Sequence, residues 1–131
     1  MAEEQLAYIE MLGGKKAADY VRQHENKFLL PALYRISKAV ENYLSEQKIQ
    51  AEMGICGIQE PEEDCFDPRL FVVVEVDCDM EKTRQLGREI SIAMSTERIR
   101  IVNDPQYGSQ LGDIEEACLK ISPYVQKKKS S

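Results

Sequence analysis

The stretch "RLFVVVEVDCDMEK", Arg69 to Lys82, decides the fold. Strand period places Leu70, Val72, Val74 and Val76 on one face and Phe71 and Val73 on the other. Apolar residues on both faces call for an interior place in a sheet, or for a partner that covers the second face. The apolar run then meets Asp77, Asp79 and Glu81 around Cys78. Asp79 is suited to cap a helix and Glu81 to sit at its positive end. Leu86, Ile90, Ala93 and Met94 follow at helical spacing, which predicts a helix over 79–95. The acidic cluster therefore reads as a strand-to-helix turn.

Working outward, "IQAEMGICGIQ" (49–59) alternates as a strand with Ile49, Ala51, Met53 and Ile55 on one face. "EPEEDCFDP" (60–68), with Pro61 and Pro68, reads as an acidic hairpin connection. Upstream, Leu33, Ile36, Val40, Tyr43 and Leu44 give the clearest helical stripe, with Pro31 in the first turn and an end near Gln47. Two short helices, 3–12 and 15–25, precede it as a hairpin broken at Gly13-Gly14. Downstream, "RIRIVND" (98–104) reads as a strand, "PQYGSQLG" (105–112) as a loop, and "DIEEACLKIS" (113–122) as a last helix stopped by Pro123. The expected fold class is α+β. A small mixed sheet in α-β-β-α-β order carries helices on one face, after a short N-terminal helical hairpin and before a C-terminal helix. The crossover into 98–104 should be parallel and right-handed. One domain is expected over residues 1–125, with 1–30 as a helical extension and 126–131 as a disordered basic tail.

Length and composition narrow the function. The 131 residues suit one domain able to bury a core without disulfides. A hydrophobic content of 43% with 31% charged residues is that of a globular chain. A net charge of −6 repels phosphate backbones and disfavours general nucleic-acid binding. The acidic start "MAEEQLAYIE" has no signal-peptide character, and no apolar run reaches a membrane span. A cytoplasmic protein with no membrane association is expected. Cys56, Cys65, Cys78 and Cys118 form no C-x-x-C pair, so free thiols are expected rather than a metal site. His24 is the only histidine, which leaves little for acid–base chemistry. Cys78 gains from a helix N-terminus but stands between Asp77 and Asp79, which oppose a thiolate.

Three resemblances carry more specific expectations. The helix–strand–carboxylate order over residues 32–104 resembles that of minimal nucleotidyltransferases. Gly57-Ile58 would take the place of their Gly-Ser, and Asp64, Asp67 and Asp104 would be the carboxylates that hold magnesium. Ile58 departs from the serine. Asp64 and Asp67 are three apart rather than two, so on a strand they would face opposite ways. "RQLGREISIAMSTERIRIVNDPQYGSQLGDIE" looks like part of the domain preceding the motor of the FtsK/SpoIIIE DNA translocases, a likeness extending over residues 33–115. Leu86, Glu89, Ile90, Ser95, Ile99, Arg100, Ile101, Val102 and Gly112 carry it. The resemblance implies a helix leading into a strand and a hairpin, and the sequence has no phosphate-binding loop of a motor. "GICG", Gly54 to Gly57, has the spelling of the K-homology loop but lies within an expected strand. Lys82, Arg84, Arg88, Arg98 and Arg100 are the candidate nucleic-acid patch.

The expected function is a small accessory or binding domain acting through protein contacts, with catalysis disfavoured and no cofactor or metal expected. A protein partner or a homodimer is expected, with dimerisation through the sheet or the N-terminal helices covering the sheet edge. A nucleotidyltransferase-like protein is the alternative, and a nucleic-acid-associated domain the further one.

Overall fold

The computed structural model describes residues 2–58, 69–108 and 110–128. The class is α+β, with a three-stranded mixed sheet. Helix α1 (Ala2–Gln23) and helix α2 (Leu29–Glu46) lead into strands β1 (Ala51–Ile58) and β2 (Arg69–Val76). Helix α3 (Met80–Val102), a single 3-10 turn at Pro105–Tyr107, helix α4 (Leu111–Leu119) and strand β3 (Ile121–Lys127) complete the chain.

Strand β2 is central. It pairs antiparallel with β1, Ile55 opposite Val72, and parallel with β3, Leu70 opposite Ile121. Leu70, Val72, Val74 and Val76 are all 2% exposed or less and form the floor of the core. Leu33, Ile36 and Val40 of α2 and Leu86, Ile90 and Met94 of α3 pack in the same cluster. Each such burial contributes roughly 1.5–3 kcal/mol of transfer free energy. Asp79 caps α3 as expected: its carboxylate accepts from the Lys82 N–H at 2.8 Å. Thr83 Oγ1 donates to the Asp79 carbonyl at 2.8 Å and lies 3.3 Å from Cys78 Sγ, which ties the cysteine into the turn.

The structure corrects five sequence expectations. Residues 98–102 are the last turns of α3, not a strand. Ile101 continues the stripe of Leu86, Ile90 and Met94, because nothing between Ser95 and Arg98 breaks the helix. The third strand is Ile121–Lys127, so a strand rather than a helix closes the fold. Pro123 sits within it, and proline is tolerated on an edge strand. Gln126 and Lys127 thus belong to the sheet rather than to a tail, and Lys128 N–H still bonds the Val76 carbonyl at 2.7 Å. The parallel crossover expected after β2 is present, but it runs through both α3 and α4 to β3.

The N-terminal hairpin is instead one helix kinked at Gly14, whose φ of 78° and ψ of −180° suit only glycine. At the kink, Gly13 lies against the free edge of β1. A Cβ on Gly13 would stand 2.8 Å from the Ile55 carbonyl oxygen and 2.6 Å from Ala17 Cβ. Before the kink, Tyr8 packs edge-on against Tyr34 of α2 at 5.3 Å and donates to Glu41 at 2.5 Å. The helix therefore bends from α2 onto the β1 edge, and glycine lets it come close.

Gly13→Ala should destabilise the fold by about 1–3 kcal/mol, because neither the backbone carbonyl nor Ala17 can yield cheaply. Gly112→Ala, in α4 with open space around it, should be neutral or stabilise by up to about 1 kcal/mol. Urea unfolding of both variants checks the contrast. Equal midpoints would contradict the close approach at β1.

Candidate functional site

The second face of the sheet is the candidate site. Strand alternation assigns it Glu52, Gly54 and Cys56 from β1, Phe71, Val73 and Glu75 from β2, and Ser122, Tyr124 and Gln126 from β3. None of the nine is buried, whereas their neighbours Val72, Val74 and Ile121 are. The kink of α1 reaches this face at Gly54, where a Cβ would stand 3.4 Å from the Leu12 carbonyl oxygen. Its two ends differ in chemistry. Phe71 and Tyr124 meet edge-to-face at 6.4 Å, with Val73 and the exposed Cys56 beside them. At the other end Lys128 Nζ reaches across to Glu52 Oε1 at 2.8 Å. That hydrogen bond, with Asp77 and Glu75 adding to it, raises the Lys128 pKa. An aromatic patch bordered by charge has the composition of a protein-contact surface.

The sequence-derived site residues are placed elsewhere. Asp64 and Asp67 lie outside the described residues. Asp104 caps the 3-10 turn, accepting from the Gln106 N–H at 3.0 Å, and receives Arg35 Nη1 at 2.7 Å. The Gln106 amide and then Arg35 hold its carboxyl below the usual range. Arg35 also donates from Nε to Glu97 Oε2 at 3.0 Å. Glu97 occupies a buried position of α3 where the helical stripe calls for an apolar residue. A buried carboxylate must be paired, and Arg35 supplies the pair from α2. Burial alone would lower the Arg35 pKa, but hydrogen bonds to Tyr107, Asp104 and Glu97 outweigh it and raise it. Arg35 thus ties α2, α3 and the 3-10 turn together.

All five candidate nucleic-acid cations are on α3, and they do not form one patch. Arg84 and Arg88 border β3, whereas Arg100 borders the α2–α3 groove and lies 3.5 Å from Glu97. Lys82 stands five helical turns from Arg100, on the same side of the helix. Arg98 is half-buried and donates to the Ile121 carbonyl at 2.5 Å. "GICG" lies in β1, as the alternation implies, and so is not a loop. The strand that the translocase resemblance places at Ile99–Val102 is helical. His24 Nδ1 accepts from the Asn26 N–H at 3.0 Å and helps turn the chain between α1 and α2. Burial raises the Cys118 thiol pKa. Among the described residues, no three His, Cys, Asp or Glu side chains are placed to hold a metal, and no helix is long and apolar enough to cross a membrane.

No family model matches the chain, and no curated protein or solved structure matches it.

The two-sided apolar character of β2 is legible in the sequence, but the place of Tyr124 on the same face is not, because Pro123 makes 121–127 look like a helix stop. A signal was present: Ile121, Pro123 and Val125 alternate with Ser122, Tyr124 and Gln126.

Arg35→Met should cost about 1–3 kcal/mol at neutral pH, since it leaves the Glu97 carboxylate buried without its partner. Asp104 has a lowered folded pKa, so its share of that stability is present above the unfolded value of about 3.9 and fades as pH falls through the folded value. Denaturation of wild type and variant at pH 7 and pH 3 should show the gap narrowing in acid. A gap that widens would contradict the bridge.

Proposed function

We propose that this chain is a protein-binding accessory domain that docks through the second face of its sheet, with a second copy of itself as the simplest occupant. The observation that carries this reading is the aromatic patch of Phe71, Val73 and Tyr124 on the sheet face opposite the buried ridge of β2, where none of the three is buried. Two such faces can stack at about 10 Å, the spacing of packed sheets, and bury each other's aromatic rings. The charged end, Glu52, Glu75 and Lys128, then lies at the rim, where it sets orientation more than affinity. The alternatives find less support. Asp104 is engaged by Arg35 rather than free for magnesium, and the cations of α3 are divided between two sides of the helix. A transferase would still reveal itself by a thermal shift with magnesium–ATP, and a nucleic-acid domain by steeply salt-dependent binding to oligonucleotides.

Sedimentation velocity across a concentration series tests the proposal. Wild type should be dimeric at high concentration, and Phe71→Glu should be monomeric with an unchanged circular dichroism spectrum. Arg100→Ala, in the α2–α3 groove and away from this face, should remain dimeric. A wild type that stays monomeric throughout the series would sink self-association through the sheet.

A further inference from the structure

A second surface, which adjoins the sheet face at Tyr124 and Gln126, lies between α3 and the free edge of β3. It is a groove of about 910 Å³ that includes Arg84, Arg88 and Ile92 on one wall and Pro123, Val125 and Lys127 on the other. Among the described residues no acidic one lines it, although the chain as a whole carries −6. Ile92 is 65% exposed at one end. At Gly87 the wall is low: a Cβ there would stand only 3.8 Å from Val125 Cβ.

The backbone of the edge is open in one half and closed in the other. Leu70 N–H bonds the Lys120 carbonyl, and Lys128 N–H bonds the Val76 carbonyl. In a parallel pair this sends the groups of Ser122, Tyr124 and Gln126 toward β2 and those of Ile121, Pro123, Val125 and Lys127 outward. The Ile121 carbonyl is taken by Arg98, and Pro123 has no N–H to offer. From Pro123 onward, what remains for a neighbour is the Pro123 carbonyl and both groups of Val125 and of Lys127. This open half is the half beside Arg84 and Arg88.

The geometry points to a short extended acidic peptide from a partner protein, added as a fourth strand along β3 with its carboxylates on Arg84 and Arg88. The spacing supports this pairing. Arg84, Arg88 and Ile92 recur every four helical residues, a rise of about 6 Å. Two residues of an extended strand advance about 6.6 Å, so alternate side chains of an added strand keep step with this stripe. The matching pattern is acidic-x-acidic-x-apolar, with the apolar residue on Ile92. Main-chain bonds at Val125 supply affinity, and the two arginines supply specificity, as in other strand-addition sites.

A fluorescein-labelled peptide, Thr-Glu-Thr-Glu-Thr-Leu, and its Thr-Lys-Thr-Lys-Thr-Leu counterpart test this by fluorescence polarisation on the whole chain. The acidic peptide should bind saturably and the basic one should not. The double variant R84E/R88E, at exposed positions that leave the core untouched, should weaken acidic-peptide binding by about tenfold or more and favour the basic one. N-methylation of one alternate set of peptide amides should abolish binding, and N-methylation of the other set should not. The proposal is overturned if the acidic peptide fails to saturate by about 1 mM, if both peptides bind alike, or if neither N-methylated set loses binding. It is also overturned if the wild-type edge proves to be occupied by a second copy, seen as dimerisation that R84E/R88E abolishes.

Discussion

Leu70, Val72, Val74 and Val76 form one continuous apolar ridge, and the molecule is arranged to keep water from it. Every second residue of β2 is driven down onto α2 and α3, so the intervening residues must point the other way. Because β2 is flanked on both sides, its backbone is satisfied by β1 in one direction and by β3 in the other. The cost of that solution is geometric. A single helical layer covers one face of a three-stranded sheet, and the side chains of Phe71, Val73 and Tyr124 are left on the other.

The two edges of the sheet are handled differently. The β1 edge is met by the kinked α1, where Gly13 allows the helix backbone to approach the Ile55 carbonyl. The β3 edge is closed only at its start, by Arg98 on the Ile121 carbonyl and by Pro123. Exposed edges invite another chain, and short strands, prolines and basic residues restrain that tendency. Here the restraint covers half the strand, and beyond it the edge is flanked by arginines. Arg35 plays the corresponding internal role. It neutralises Glu97 within the helical layer and fixes Asp104, so that the end of α3 and the following turn stay docked against α2.

The parts of this fold legible in the sequence were those whose period is unambiguous within one element. The alternation of β2, the stripe of Leu33, Ile36, Val40 and Leu44, and the Asp79 cap could all be read locally. Residues 98–102 misled because Ile99, Ile101 and Val102 have strand-like side chains. The longer stripe from Leu86 through Met94 to Ile101 outweighed that local preference. The strand at 121–127 was hidden by Pro123, which stops a helix and removes a ladder bond in a central strand, yet costs little with its nitrogen directed away from the sheet. The site was less legible than the fold for a related reason. Its members come from three strands far apart in sequence, and without β3 the Phe71–Tyr124 contact has no address. The pairing of Asp104 with Arg35 likewise depends on α3 continuing past Arg98, which brings Glu97 and Asp104 to the same side of α2.

Amide hydrogen exchange followed residue by residue tests the central arrangement most directly. If β2 is the middle strand and β3 a free edge, the Val72, Val74, Tyr124 and Gln126 amides are protected while Val125 and Lys127 exchange quickly. Protection of Val125 and Lys127 equal to that of Tyr124, or rapid exchange along the whole of 121–127, would contradict the account.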